Sequence, residues 1–449
     1  MHFGLEPYVP GVLYFLSIVA FLLTVFWRSV VGIYFLLPLI PLQTLRYRLN
    51  DFPLGPSVVG MMMLAVVLGL LRSRQPVLPR TPWTKLLCIY AVLTFVSLCL
   101  GSFSLGRSLP LPGDSRFGDW QSYIILPTIL LLVAAVEPTR RQMRIMVVLM
   151  CLATLMLNKG FWDTVSARDF SSFSDDLRDE GAMGYAGVNG MAAYEAQFGT
   201  FLLALAAFER KRLLQLGYIA LAGFSGICLM YSLSRGGYLA LMAGFLFLGI
   251  VKQRKLLALL AVFLCTWTIL VPGAVRQRVL MTYDESNGEI DHSSELRVDL
   301  WEEAAVMIRA NPLLGLGFDT YAYTSHVHDY KDSHNYFVKV LAETGFVGLL
   351  LFLLLLGRNF QMGYRLFRRA KDPFLASLGL GLAAWTVCSL VANCFGDRWT
   401  FLQVNGYMWV LGGLVSRAWM LEQGSAELGA ISETGRAGEV LKPQPTAAL

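Results

Sequence analysis

Residues 213–272 read LLQLGYIALAGFSGICLMYSLSRGGYLALMAGFLFLGIVKQRKLLALLAVFLCTWTILVP. Three apolar runs (213–232, 236–251 and 256–272) follow one another here with almost nothing between them. Each approaches the roughly 20 residues that cross a bilayer as a helix. The first connection is Ser234 and Arg235; the second holds Lys252, Arg254 and Lys255. The runs do not alternate apolar with polar residues, so a β-barrel is excluded. In lipid every backbone amide needs a partner within the chain, so repeated blocks of this kind mean helices.

The same texture extends in both directions. Further apolar runs lie at 11–27, 30–42, 56–71, 84–101, 121–136, 143–158, 186–208, 345–357, 374–394 and 400–417. The expected fold is all-α, a polytopic transmembrane helical bundle of roughly 12–13 spans. The chain is 55% hydrophobic and 15% charged, where a soluble domain has about 25% charged residues. All seven cysteines lie in or beside apolar runs and read as small buried side chains, not as a disulfide framework. No basic segment or cleavage site precedes the first run, so no signal peptide is expected.

The net charge is +6, and its placement is more telling than its total. Basic connections at 72–85, 140–144, 210–212, 252–255 and 358–371 alternate with less basic ones at 102–120, 159–185, 233–236, 273–343 and 395–399. The positive-inside bias assigns the first set to the cytoplasm and the second to the outer side. The expected domains are a membrane domain over 1–420 and a cytoplasmic tail over 421–449 without regular structure.

Only one long water-compatible stretch separates apolar runs, residues 273–343, and it faces outward on this reading. It carries four of the five histidines: His292, His326, His328 and His334. Ser293, Ser294 and Glu295 signal a helix start, Leu296, Leu300, Trp301, Ala304 and Ile308 recur at helical spacing, and Asn311-Pro312 stops the helix. Gly315-Leu316-Gly317 is a turn. Asp332 or Ser333 caps a second helix, interrupted at Gly345, with His334 in its first turn near the outer membrane surface.

Three outward-facing residues invite chemistry. Arg235 either snorkels to lipid headgroups or forms an anion site with the helix amides at Gly236 and Gly237. Arg297 shares a helix face with Trp301, either on an amphipathic helix lying on the membrane or as a second phosphate ligand. His334 is a structural hydrogen-bonding group or a general base. His326 and His328 have ligand chemistry, but no metal signature accompanies them, and no metal is assigned. The acidic connection 163–180 reads as a solvated loop. Arg398 in 395–399 is a candidate helper at an anion site, and Arg28, Arg46 and Arg48 take no definite place. No phosphate-binding glycine loop, nucleophile elbow or nucleic-acid signature is present.

At these residues the sequence resembles the O-antigen ligase and polymerase-like family of bacterial membrane proteins. The matching pieces are Ser234-Arg235-Gly236-Gly237-Tyr238-Leu239, then Arg297-Val298-Asp299-Leu300-Trp301 leading to Asn311-Pro312-Leu313-Leu314-Gly315-Leu316-Gly317. The third is Ser333-His334-Asn335-Tyr336-Phe337, followed by Glu343-Thr344-Gly345-Phe346-Val347-Gly348. The resemblance covers about 186–360. It implies a glycosyltransferase of the bacterial inner membrane acting on its periplasmic face, without cofactor, metal or nucleotide sugar. Its donor would be an undecaprenyl-diphosphate-linked glycan, its acceptor a glycan, lipid A-core or other hydroxyl, and membrane lipids its surroundings. Arg235, Gly236, Gly237 and Arg297 would then hold the diphosphate, His334 would accept the acceptor's proton, and His326, His328 and Tyr336 would lie on the acceptor side. A polymerase of the same mechanism, a lipid-linked glycan flippase and a metal-dependent hydrolase are the alternatives. The flippase needs a polar path through the spans, where Glu195 is the clearest charged residue.

Overall fold

The computed structural model describes residues 8–178, 181–281, 292–323 and 333–440, with only the backbone path at 181–182, 292–296 and 424–440. The described residues are helical, with no strand. α1 (Val9–Phe26) and α2 (Val30–Leu39) form a hairpin, and the short α3 (Gln43–Tyr47) leads to α4 (Val58–Arg72). α5 (Thr84–Ser104), α6 (Ser115–Ala135) and α7 (Arg140–Val165) are long crossings. α8 (Gly187–Ala206), α9 (Arg212–Tyr231), α10 (Arg235–Val251) and α11 (Arg254–Leu270) follow. α12 (Gly273–Leu280) and α13 (His292–Ala310) belong to the polar segment, and α14 (Tyr336–Arg369), α15 (Pro373–Ala392) and α16 (Leu402–Val440) complete the bundle.

Among the described residues, eight helices are long and apolar enough to cross a membrane, or nine if α11 and α12, bent 109° apart, make one span. That is fewer than the roughly 12–13 runs counted in the sequence. The difference has a physical cause. α2 and α10 are apolar but short. α8 is long but carries buried Glu195 and Gln197, which the centre of a bundle tolerates and lipid does not.

α8 and α15 form that centre. Tyr194 and Phe198 of α8 pack edge-to-face on Trp385 of α15, and Tyr407 of α16 joins them at 5.7–6.0 Å. With the Asn158 amide oriented to suit its partners, its nitrogen donates to Glu195 Oε1 (2.7 Å) and its oxygen accepts from Ser225 Oγ (3.1 Å). The carboxyl is therefore a clamp between α7, α8 and α9, not a step in a polar path.

The basic connections converge at one end. Arg140 pairs with Asp372 (2.5 Å), Arg417 with Glu137 (3.0 Å), and Arg72 donates to the Phe26 carbonyl (2.9 Å). α16 runs on past this end to Val440, so residues 421–440 are helical where the sequence suggested no regular structure. Ala426, Glu427, Leu428, Ala430 and Ile431 favour helix.

The less basic connections meet at the opposite end, hereafter the site end. There the acidic connection is pinned, not merely solvated. Ala274 of α12 donates to the Phe170 carbonyl (3.0 Å), and the Phe173 amide donates to Gln277 Oε1 (2.7 Å). Across the polar segment, residues 312–317 bond back to 342–347: Leu316 and Gly317 donate to the Ala342 and Glu343 carbonyls, and Phe346 and Val347 to those of Pro312 and Leu313. Only glycine fits this contact. A Cβ on Gly315 would lie 2.3 Å from Glu343 backbone, and one on Gly345 (φ +63°) 2.3 Å from Leu313 backbone. At Gly345 the α14 backbone breaks, as the sequence led one to expect. The preceding helical segment, from Tyr336 to the break, folds back, so Tyr336 and Phe337 pack on Phe352 at 5.1 and 5.6 Å.

Candidate functional site

α10 starts at Arg235, with Ser234 in an extended conformation before it. The Ser234 hydroxyl donates to Asn189 Oδ1 (2.8 Å), and the same oxygen accepts from Arg178 Nη2 (3.0 Å). One amide of α8 thus ties the α10 start to the connection before α8. Gly236 and Gly237 have a packing function here. A Cβ on Gly236 would meet the Phe395 side chain at 2.9 Å, and one on Gly237 would meet Ala192 Cβ at 2.7 Å. They bring the first turn of α10 tight against α8 and the connection after α15, where its amides have no acceptor within the helix.

Arg178 borders a cavity of about 430 Å³ shared with Asp175, Gly187, Asn189 and Arg398. Burial pulls its guanidinium below the usual arginine range; Asp175 opposes that, while Arg235 and Arg398 add to it by like-charge repulsion. Two further guanidiniums therefore lie within electrostatic reach of Arg178, and all three are partly shielded from water. Such an arrangement favours an anion. Arg398 is 8% exposed. Its amide donates to Asn393 Oδ1 (3.1 Å), and its carbonyl accepts from Asn405 Nδ2 (2.5 Å).

The neighbouring Asp397 links this cation cluster to α14. It accepts from the Trp399 and Thr400 amides (both 3.0 Å) and from the Thr400 hydroxyl (2.8 Å), and pairs with Lys339 (3.4 Å). Five residues before Lys339 stands His334. It lies just ahead of α14, not in its first turn, and its backbone is left-handed (φ +52°). The helix cap is Asn335, whose Oδ1 accepts from the Phe337 amide (3.0 Å). Neither expected cap serves: the Ser333 hydroxyl is turned to the Asn335 carbonyl (2.7 Å), and Asp332 is outside the described residues. A non-glycine residue held in this strained region is over-determined by its surroundings.

One of those surroundings is α13. Trp301 Nε1 donates to the Ser333 carbonyl (3.0 Å), so the helix bearing Arg297 is fastened to the residue beside His334. α13 is not a separate amphipathic helix but packs into the polar segment and against α14. Leu300, Ala304 and Met307 bury against Tyr321 and Ala342, forming a small core inside the polar segment. Tyr336, expected on the acceptor side, is 3% exposed and its hydroxyl contacts that of Tyr123 (3.2 Å). It is an anchor for the fold-back, because a ring this large gains most when fully buried. His326 and His328 lie outside the described residues. Among the described residues no group of three or more His, Cys, Asp or Glu is placed to hold a metal ion.

Beside Lys339, Asp319 also has a left-handed backbone (φ +56°). Burial pushes its carboxyl up to about 6; Lys339 acts against this, Asp119 with it. Glu343, wholly buried, accepts from the Tyr321 amide (3.2 Å).

The structure therefore brings Arg235 to Arg178 and Arg398, and brings Arg297's helix to His334. Asp397–Lys339 connects the two groups. Sequence reasoning passed over Arg178 and Asn189. The available signal was an arginine near the end of an acidic connection, ahead of the next apolar run. No curated protein matches the chain. A family model described as O-antigen ligase matches residues 220–353, a span that holds Arg235, Arg297 and His334 but neither Arg178 nor Arg398. Over these residues the chain is similar to the O-antigen ligase family, and its eight or nine apolar helices, counted among the described residues, make it a multi-pass membrane protein.

Proposed function

We propose that this protein performs the glycan transfer of cell-surface polysaccharide synthesis as an O-antigen ligase-like enzyme, moving a glycan from an undecaprenyl-diphosphate carrier to an acceptor hydroxyl. The observation that carries the reading is the cavity bordered by Arg178 and Arg398, with Arg235 within electrostatic reach of Arg178, at the end of the bundle that also holds His334. A lipid diphosphate is an anion tethered to a bilayer, and a cation-lined recess at the end of a helical bundle suits it. The less basic surroundings of that end favour the periplasmic face.

On this reading His334 takes the proton as the acceptor oxygen attacks the anomeric carbon. The bond from that carbon to the diphosphate oxygen breaks, and its electron pair leaves with the diphosphate. Negative charge grows there in the transition state, so fixed guanidiniums stabilise it more than the ground state. A single base opposite the leaving group gives inversion. Arg297, on the helix fastened beside His334, is the fourth cation.

The test is transfer of lipid-linked glycan in membranes carrying His334→Ala or Arg297→Ala. Full activity in both variants would sink the mechanism. A polymerase would use the same groups; in a deletion strain, single repeat units on the surface indicate a polymerase, and intact lipid-linked polymer without a capped surface glycan indicates a ligase. Insensitivity to chelators would exclude a metal-dependent hydrolase.

A further inference from the structure

Arg46 sits in α3, at the site end, on a turn packed against the segment that leads into the cavity. Gln403 Nε2 donates to Gln43 Oε1 (2.6 Å) and to the Met183 carbonyl (3.4 Å), and Gly184 (φ +52°) abuts the Gln43 side chain. Tyr47 meets Tyr185 edge-to-face at 5.6 Å, and Tyr185 is 79% exposed. The Arg46 side chain is largely buried without being sealed, and its Nε is closed off from water without a hydrogen-bond partner. Burial pulls the guanidinium down to about 10, and among the described residues Tyr47 acts the other way and no carboxylate acts on it. A buried cation without a counter-charge costs several kcal/mol. A fold that keeps one at a rim beside exposed aromatic rings has a use for it.

We propose that Arg46, with the Tyr47–Tyr185 pair, forms a second anion site, separate from the arginine-lined cavity, that takes a phosphate group carried by a sugar or a lipid. A guanidinium supplies forked donors for phosphate oxygens. The exposed tyrosine pair offers an apolar face with polar edges to whatever bears the phosphate. The inference rests on the transferase reading only for the role of that molecule: a phosphorylated acceptor sugar if the phosphate is on a glycan, an annular lipid if it is on a phospholipid.

The experiment uses the full chain in phosphatidylcholine nanodiscs, with Arg178→Gln in the background to silence the cavity. Thermal unfolding is followed against inorganic phosphate. The expected result is a phosphate-dependent rise in Tm that Arg46→Gln abolishes, the apparent Kd rising at least about tenfold with the loss of one charge-assisted contact. Without phosphate, Arg46→Gln is expected to unfold at the same or a higher temperature, because an uncompensated charge has gone. An unchanged phosphate response in Arg46→Gln overturns the proposal. So does a lower Tm without phosphate, which would make Arg46 a structural group. Replacing part of the phosphatidylcholine with phosphatidylglycerol separates the two carriers. If that lipid removes the phosphate response, the carrier is a lipid; if a hexose phosphate still binds in its presence, the carrier is a sugar. No transfer assay enters, so an Arg46-dependent response in a protein that transfers nothing would leave this site standing while the enzymatic reading fell.

Discussion

Arg116 and Arg178 are both arginines taken out of water at the site end, and they are handled in opposite ways. Arg116 is fully buried and its guanidinium is spent on the fold: Nε donates to the Asp319 carbonyl (3.2 Å), Nη1 to Ser102 Oγ (2.9 Å) and Nη2 to the Phe318 carbonyl (2.5 Å). It stitches the polar segment to α5 and α6. Arg178 donates to the neutral Asn189 and has Asp175 on one side of the balance and two arginines on the other. The difference teaches that burial alone does not mark a functional cation. What marks it is a guanidinium that borders an open volume with two further arginines within electrostatic reach.

His334→Ala tests the centre of the site and should have the largest effect. Transfer is expected to fall about 10²–10⁴-fold, the usual range for losing a general base, with the Tm of purified protein unchanged. Arg116→Met comes next and should act through the fold. Three acceptors lose their donor, and a loss of about 3 kcal/mol or more is expected, read as a lower Tm and poor recovery from membranes. Arg178→Met should do the reverse, keeping the Tm while cutting transfer about 10²-fold, the usual scale for one preorganised donor. If the two variants behaved alike, the contrast drawn above would be wrong.

The smallest effect concerns Asp319, whose carbonyl serves Arg116 while its carboxyl is held up to about 6 by burial. A carboxyl that keeps its proton more tightly folded than unfolded stabilises the folded chain at low pH. That contribution disappears as pH rises from about 4 to about 6. Asp319→Asn should flatten this part of the Tm–pH curve and leave the region above 7 parallel to the wild type. A curve of unchanged slope between 4 and 6 would show that Asp319 does not titrate there.

The class of fold was readable because lipid leaves so few options. Runs like 213–232 and 256–272 have no alternative to helix, and the alternation of basic connections foretold which ends meet, as Arg140–Asp372 and Arg417–Glu137 show. Helices stabilised from inside the bundle were harder. α8 hides Glu195 behind Asn158 and Ser225, a compensation contributed by two other helices. In the site, Arg235 and His334 stood out by position and by resemblance. Arg178 did not, because its meaning depends on Asn189 and Arg398, 11 and 220 residues further along the chain. The choice of Asn335 over Ser333 as the cap depends likewise on Trp301, which holds the Ser333 carbonyl from another helix.

The pairing of 312–317 with 342–347 has a consequence for what supports His334. Before the intervening stretch, Tyr321 is fixed by the Leu300 carbonyl and by Glu343; after it, Ser333 is fixed by Trp301. Tyr321 and Ser333 are thus both held by α13, the one through Leu300 and the other through Trp301. The footing of His334 is shared among α13, the 312–317 turn and α14, so a change in any one of the three is felt at the other two.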